Sequence, residues 1–130
     1  KERCADMDLL NGVREIITEI MDVDGGAITE ETCLIRDLGA ESIDLLELAV
    51  AMNHRFGLPV QDDEIFLRKF PLYRLEAARA GADPLSYLAE RIRFLPPARI
   101  AEILAEPDRS AALTIGDLVR YLRYQQEDHR

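Results

Sequence analysis

One serine stands among acidic side chains in the run DLGAESIDLLEL, which covers residues 37–48. Ser42 is the hydroxyl of this run, and Glu41, Asp44 and Glu47 surround it. A serine hydroxyl can attack a substrate as a nucleophile, cap the start of a helix, or hold a covalently attached group. The neighbouring residues decide between these three roles.

The first role, nucleophilic catalysis, lacks the partners that it needs. A catalytic serine requires a positioned base, usually a histidine that a third group orients. His54 is twelve positions further along the predicted helix, about 18 Å away at 1.5 Å per residue, and His129 is next to the last residue. The pattern G-x-S-x-G is absent, because the run is G-A-E-S-I. We therefore expect no catalytic residues and a protein that is not an enzyme by itself.

The second role, helix capping, is predicted by the local residue types. Ser42 precedes a periodic apolar segment, and its hydroxyl can accept a hydrogen bond from a first-turn amide, worth about 1 kcal/mol. Two features remain outside this explanation. Ile43, Leu46 and Val50 form a second apolar line beside the one that faces the core. The amides of a helix N-terminus also favour a phosphate, and Gly39 keeps the approach free of a side chain.

Helical spacing of apolar residues defines the elements that hold this run. A first helix is predicted at residues 6–21, where apolar residues recur every three or four positions. Two glycines among acids predict a loop at 22–32. The second helix is predicted after Ser42, with an apolar stripe that ends at Phe56, and Gly57 supplies its stop.

Prolines divide the stretch that follows the second helix. Short helices are predicted at about 72–80, 84–94 and 97–105, each with a proline where a first turn tolerates one. The acidic triplet 62–64 predicts a further helix start and no metal site, since three consecutive side chains point in different directions.

The last helix is predicted to follow Thr114, which reads as its N-cap. Asp117 then occupies the third helical position, a close relative of the capping box. The final run 125–130, QQEDHR, is polar, and we expect it to fray.

Composition predicts an all-α fold. The chain has no tryptophan and only four tyrosines and four phenylalanines in 130 residues, so its core must be mainly aliphatic. Such a core favours packed helices over a β-sandwich.

Charge excludes nucleic acid as a partner and favours basic protein surfaces. The net charge is −9, and residues 1–64 hold 16 acidic and 5 basic side chains. Phosphate binding would need a concentrated excess of Lys and Arg. Residues 65–109 are slightly basic, with 8 basic and 6 acidic side chains.

Cysteine usage and hydropathy indicate the compartment. Cys4 and Cys33 are too few for a disulfide framework, and we expect two free thiols. No apolar run approaches the roughly 20 residues that span a bilayer, and the start KERCADMD lacks the apolar core of a signal peptide. We expect a monomeric cytoplasmic protein without a membrane span.

The run around Ser42 resembles the acyl carrier proteins, whose motif is D-x-G-x-D-S-L-D followed by an amphipathic helix. Here the corresponding residues are DLGAESID, at 37–44. The resemblance covers residues 6–65 and resumes at 113–118, LTIGDL, which is similar to the T-(V/I)-x-D-(L/A) start of the family's closing helix. It implies a four-helix bundle, with extra short helices inserted before the last helix.

The resemblance also implies roles for individual residues. Ser42 would bear 4′-phosphopantetheine, received from coenzyme A through a phosphopantetheinyl transferase. Acyl groups would travel on this arm as thioesters in fatty acid, lipid or polyketide-like synthesis. The acidic side chains around the serine would contact basic patches on acyl-loading, condensing or acyl-transfer enzymes. The apolar side chains beside them would supply the rest of that contact and would also border the acyl-chain cavity. The residues implied in partner recognition are Glu41, Ile43, Asp44, Leu46, Glu47 and Val50.

Two departures from the motif stand beside the serine. Glu41 replaces the usual Asp and Ile43 the usual Leu, and each change keeps charge or apolarity. A larger departure is the proline-divided stretch. We interpret residues 1–130 as one carrier domain with a helical insertion at about 66–112.

Two other functions fit parts of the pattern. A peptidyl or aryl carrier shares the serine and the arm, although those carriers tend to have G-G-(H/D)-S-L, where this chain has G-A-E-S-I. A helical interaction module, in which Ser42 only caps a helix, would explain the periodicity without an arm.

Overall fold

The computed structural model describes residues 2–108 and 112–128, and the side chains from Asp8 onward. Among these residues there are seven α-helices and no strand, apart from one isolated antiparallel bridge between Cys33 and Thr114. The all-α prediction is confirmed. The helices are α1 (Glu2–Met21), α2 (Ser42–Phe56), α3 (Asp62–Ile65), α4 (Phe70–Ala80), α5 (Pro84–Arg91), α6 (Pro97–Leu104) and α7 (Ile115–Asp128).

The centre of the bundle is formed by α1, which packs against both α2 and α7. The short α3 contacts α2 and α7 and completes the four helices that the sequence predicts. Their buried residues are mainly aliphatic because each helix turns one apolar stripe inward. Prominent members of this core are Leu9, Val13, Ile17, Leu48, Met52, Ile65, Ile115, Leu118 and Leu122.

The added helices extend the same core. α4 packs against α5, and α5 packs against α6. Their apolar side chains join the cluster that α1, α2 and α7 form, as the helical spacing predicts; the buried ones are Phe70, Leu88, Ile92, Leu95, Ile100 and Ile103. The fold is therefore an acyl-carrier-like bundle with short helices between α3 and α7.

Two ion pairs join the added helices to the rest of the bundle. Arg99 of α6 donates from Nη2 to Asp117 Oδ2 of α7 at 2.9 Å and to the carbonyl of Ala112 at 2.6 Å. Arg36, in the loop before α2, lies 2.7 Å from Glu106, just after α6. The segment 97–106 is thus fixed beside the loop that leads to Ser42.

Three predictions about helix ends need correction. α1 begins at Glu2 and not at residue 6, because helical backbone continues through the polar residues that precede its apolar stripe. α5 ends at Arg91 and not at Phe94, because Ile92 leaves the helical region at ψ 78°. The predicted fraying of the last run is wrong for its described part, since α7 continues to Asp128. Gln125 is buried there and donates from Nε2 to the carbonyl of Pro59 at 2.8 Å; residues 129 and 130 lie outside the described residues.

The cap predicted before α7 is confirmed. The amide of Thr114 donates to Asp117 Oδ2 at 3.0 Å, and the amide of Asp117 donates to Thr114 Oγ1 at 3.2 Å. This reciprocal pair satisfies two amides that the first turn would leave without partners. The start of α7, and with it Asp117, is thereby held in one position.

Candidate functional site

The site begins at the N-terminus of α2, where the cap differs from the prediction. Glu41 is the N-cap residue, with extended backbone (φ −105°, ψ 171°), and Ser42 is the first residue of the helix. The amide of Glu41 donates to the carboxylate of Asp44 at 2.9 Å. The predicted capping role of Ser42 is therefore wrong by one residue, because Asp44 reaches back to Glu41 and sets where the helix starts.

The hydroxyl of Ser42 is available for chemistry. Its side chain is exposed, and it makes no hydrogen bond to any residue that the structure describes. The first-turn amides and the positive end of the helix dipole lie beside it, which favours a phosphate on this oxygen. Gly39 precedes it at φ 71°, a backbone conformation that suits glycine, and a Cβ there would have nothing within 4 Å.

The loop that leads to Ser42 is fastened to the core. The amide of Ala40 donates to the carbonyl of Leu34 at 3.0 Å, and the amide of Leu34 donates to the carbonyl of Leu113 at 3.0 Å. Leu34 and Ala40 are both buried. Asp37 also accepts a hydrogen bond from the amide of Cys33 at 2.7 Å. These contacts place Ser42 at the end of a loop that is tied to the core by hydrogen bonds.

Cys33 has no reactive character in this loop. Its thiol is free and buried, and burial together with the charge of Asp37 raises its pKa above the ordinary value. A thiol with a raised pKa is a poor nucleophile at neutral pH. The free state that the sequence predicts is confirmed for Cys33, while the side chain of Cys4 lies outside the described residues.

The structure brings the predicted partner-recognition residues onto one side of α2. Ile43, Leu46 and Val50 are 58%, 49% and 63% exposed, and their spacing of i, i+3 and i+7 forms one stripe. Glu41 and Glu47 are exposed beside them, and Asp44 is half-buried. We call these six residues the recognition face. The opposite side of the helix is buried through Leu45, Leu48, Ala49 and Met52.

Sequence reasoning missed an aromatic cleft between α3, α4, α7 and the α5–α6 connection. It has a volume of about 100 Å³. Ile43, Leu46 and Val50 do not line it, so their expected place at an acyl-chain cavity stays a prediction. The sequence signal was the crowding of aromatic residues into the added helices and α7; the cleft is lined by Phe70, Tyr73, Phe94, Tyr121 and Tyr124.

The described part of the chain holds neither a cluster of metal ligands nor a membrane-spanning helix. Within residues 2–108 and 112–128, no three His, Cys, Asp or Glu side chains come together in a way that would hold a metal ion. No helix in this described part is long and apolar enough to cross a membrane.

Comparisons with known proteins point to the same segment. The family model described as "Phosphopantetheine attachment site" matches residues 11–68, which contain the loop, Ser42 and all of α2. No solved structure matches the chain.

Several curated relatives carry the name acyl carrier protein. That of Helicobacter acinonychis (strain Sheeba) is 36% identical over 58 residues, which are 45% of this chain and 74% of the relative. That of Caulobacter vibrioides (strain NA1000 / CB15N) is 41% identical over 56 residues, or 43% of this chain and 72% of the relative. That of Thermotoga maritima is 33% identical over 85 residues, or 65% of this chain and 93% of the relative. Since each match takes a larger share of the relative than of this chain, the relatives are shorter.

Proposed function

The chain belongs to the acyl carrier protein family, whose cofactor is 4′-phosphopantetheine, and from this premise we propose that Ser42 is the residue to which the arm is joined. The observation that carries the proposal is the exposed Ser42 hydroxyl, which has no hydrogen bond within the described residues and lies at the start of α2 in the matched segment. Coenzyme A would supply the arm. The serine oxygen would lose its proton to a base and bond to the phosphorus next to the pantetheine, while the pyrophosphate P–O bond at that phosphorus breaks and adenosine 3′,5′-bisphosphate leaves.

Acyl groups would then be held as thioesters on the thiol of the arm and delivered to enzymes of fatty acid, lipid or polyketide-like synthesis. The arm supplies the thioester chemistry, and the chain positions the arm and presents a docking surface for partner enzymes. A carrier of this kind is not itself a catalyst. The names of the relatives favour an acyl over a peptidyl or aryl carrier.

The recognition face would provide that docking surface. Its exposed apolar stripe is flanked by acidic side chains, which suits basic docking patches on the transferase and on acyl-handling enzymes. Charge complementarity gives rapid association, and a small apolar contact permits rapid release. Ile43, Leu46 and Val50 would supply the apolar part, and Glu41, Asp44 and Glu47 the charge.

The extent of the domain is part of the proposal. We interpret residues 1–130 as one carrier domain in which the segment at about 66–112 is a helical insertion. The shared buried core and the Arg99–Asp117 ion pair support this interpretation.

The intact mass of the protein tests the attachment site. The purified chain is incubated with coenzyme A and a broad phosphopantetheinyl transferase, and we expect one phosphopantetheine group per chain. Ser42→Ala should gain nothing, whereas the matched control Ser86→Ala, at another exposed serine in a helix first turn, should be modified as wild type. An unmodified wild type with several transferases would leave only the interaction-module function, and an adduct on Ser42→Ala would move the site.

A further inference from the structure

A second exposed apolar surface lies on α4. The described part of the chain has six exposed large hydrophobic side chains, and three of them belong to the recognition face. Leu72 and Leu75, both on α4, are 49% and 48% exposed. Among the described helices, the backbone of α4 lies close to that of α5 alone, and the side of α4 that faces the core holds Phe70, so the two leucines lie on the uncovered side. Together they form a small apolar patch on the surface of the helix.

The geometry of this surface matches that of the recognition face. Leu72, Leu75 and Arg79 follow the spacing i, i+3 and i+7, so they form one stripe on the helix. They lie opposite Phe70 and Ala77, which are the buried residues of α4. We call Leu72, Leu75 and Arg79, with the adjacent Arg74, the outer face of α4.

The charge of the outer face is opposite to that of the recognition face. Arg74 and Arg79 are exposed, and neither forms an ion pair within the described residues. The acidic residue of α4, Glu76, is already engaged, because Tyr87 donates its hydroxyl to it at 2.9 Å and Arg91 lies 4.0 Å away. The outer face is therefore apolar and cationic in a chain whose net charge is −9.

We propose that the outer face of α4 on one copy of the chain docks on the recognition face of α2 on a second copy. Each face presents a one-helix-wide aliphatic stripe, and the flanking charges are opposite in sign. Within one chain α2 and α4 do not contact each other, so both faces are free. Two leucines are a small apolar area for a lipid surface, whereas they suit a single helix of a protein partner.

The contact is weak and transient. Two single-helix faces bury less surface than stable interfaces do, and the net charge of each copy opposes association. The monomer is then the species at low protein concentration. At high concentration, α4 would cover the recognition face of a neighbour and compete with partner enzymes. This consequence rests on the proposed role of the recognition face, but not on modification of Ser42.

Sedimentation equilibrium with charge-reversal variants tests the proposal. We expect the weight-average mass of the wild type to rise between about 20 μM and about 1 mM, the range in which weak contacts become populated. Arg79→Glu and Glu47→Lys should each lower the association constant about tenfold, since each places like charges in the contact. An equimolar mixture of the two variants should regain association, because the unaltered outer face of Glu47→Lys meets the unaltered recognition face of Arg79→Glu, and the two altered faces are again opposite in charge.

Matched controls change the same charge elsewhere. Arg93→Glu and Glu19→Lys alter exposed residues outside both faces and should associate as wild type. A wild type that stays monomeric at about 1 mM, or a control that loses association as strongly as Arg79→Glu, overturns the proposal. So does Arg79-dependent binding of the monomer to phosphatidylglycerol vesicles, which would assign the outer face to a lipid surface.

A further variant separates this inference from the carrier proposal. Ser42→Ala should self-associate as wild type does, because Ser42 is not part of the apolar stripe. If the wild type does not self-associate, the gain of a phosphopantetheine group at Ser42 can still be observed in the intact mass. Conversely, if the transferase does not modify Ser42, self-association can still be observed by sedimentation.

Discussion

Arg99 and Asp117 form a buried ion pair that joins α6 to the first turn of α7. Arg99 donates to Asp117 from Nε at 3.0 Å and from Nη2 at 2.9 Å, and the Asp117 side chain is 0% exposed. Asp117 also accepts from the amide of Thr114 and lies 3.3 Å from Arg120. The hydrogen bonds to Asp117 raise the pKa of Arg99 above its ordinary value, so the guanidinium stays charged.

Removal of this arginine should destabilise the fold. Arg99→Met is expected to lower the free energy of unfolding by about 3 kcal/mol, because it leaves a buried carboxylate with less compensation. Denaturant unfolding measures the loss. The control is Arg55→Met, whose partner Glu15 lies 2.7 Å away but is largely exposed, and this change should cost less than about 1 kcal/mol. Equal losses would contradict the structural role given to the buried pair.

Two leucines of equal exposure allow a matched test of the recognition face. Leu46→Ala should lower the kcat/KM of the phosphopantetheinyl transferase about fivefold, since truncation of an interface side chain removes about 1 kcal/mol. Leu72→Ala is the control, because Leu46 and Leu72 are both 49% exposed on helices. At low micromolar protein it should be modified as wild type. A similar loss in both variants would contradict a docking role that is specific to α2.

The two unusual residues beside the serine should limit a broad transferase. The double change Glu41→Asp with Ile43→Leu restores the motif of the family and should raise the kcat/KM of such a transferase several-fold, with unfolding little changed because both side chains are exposed. Steady-state kinetics with coenzyme A measure this. If the rate stays the same, these two side chains do not restrict recognition.

Alkaline pH should destabilise the protein in part through Tyr121. Burial raises the pKa of its phenol above the ordinary 10.0, and its hydrogen bond to Glu64 adds to this effect. Above pH 10.0 the unfolded chain loses this proton and the folded chain keeps it, so the free energy of unfolding falls with rising pH, by about 1.4 kcal/mol per pH unit. Tyr121→Phe should reduce that slope.

Urea unfolding at a series of alkaline pH values measures the slope. Tyr124→Phe, at an exposed tyrosine of the same helix, is the control and should keep the wild-type slope. An equal slope in the wild type and Tyr121→Phe would show that Tyr121 does not contribute.

Local patterns predict the helices well because they depend on near neighbours. The apolar spacing of α2, the stop at Gly57 and the cap formed by Thr114 and Asp117 all follow from residues within one or two turns. The error at Ser42 arose from an equally local competition. Serine is a favoured cap by type, but the carboxylate of Asp44 bonds the amide of Glu41 and starts the helix one residue earlier.

Long-range partners could not be read from the sequence. Arg99 meets Asp117 across 18 positions, and Tyr121 donates to Glu64 across 57. Nothing in the local pattern of either residue identifies its partner. For the same reason Gln125 looked like part of a free polar end, whereas it bonds the carbonyl of Pro59.

At Leu113 the chain rejoins the loop before α2, after the long segment that carries α4, α5 and α6. This contact helps to explain how the fold accommodates that segment. After leaving α3, the chain comes back through the hydrogen bonds of Leu34 with Leu113 and of Thr32 with Ile115. The entropy lost on closing a loop grows only logarithmically, by about 0.6 kcal/mol for each doubling of length. A short connection can thus become a long one at small thermodynamic loss, provided that its two ends stay close together. The junction at 32–34 and 113–115 keeps the end that leads into α7 in place, so α7 can dock on α1 even though the segment before it is long.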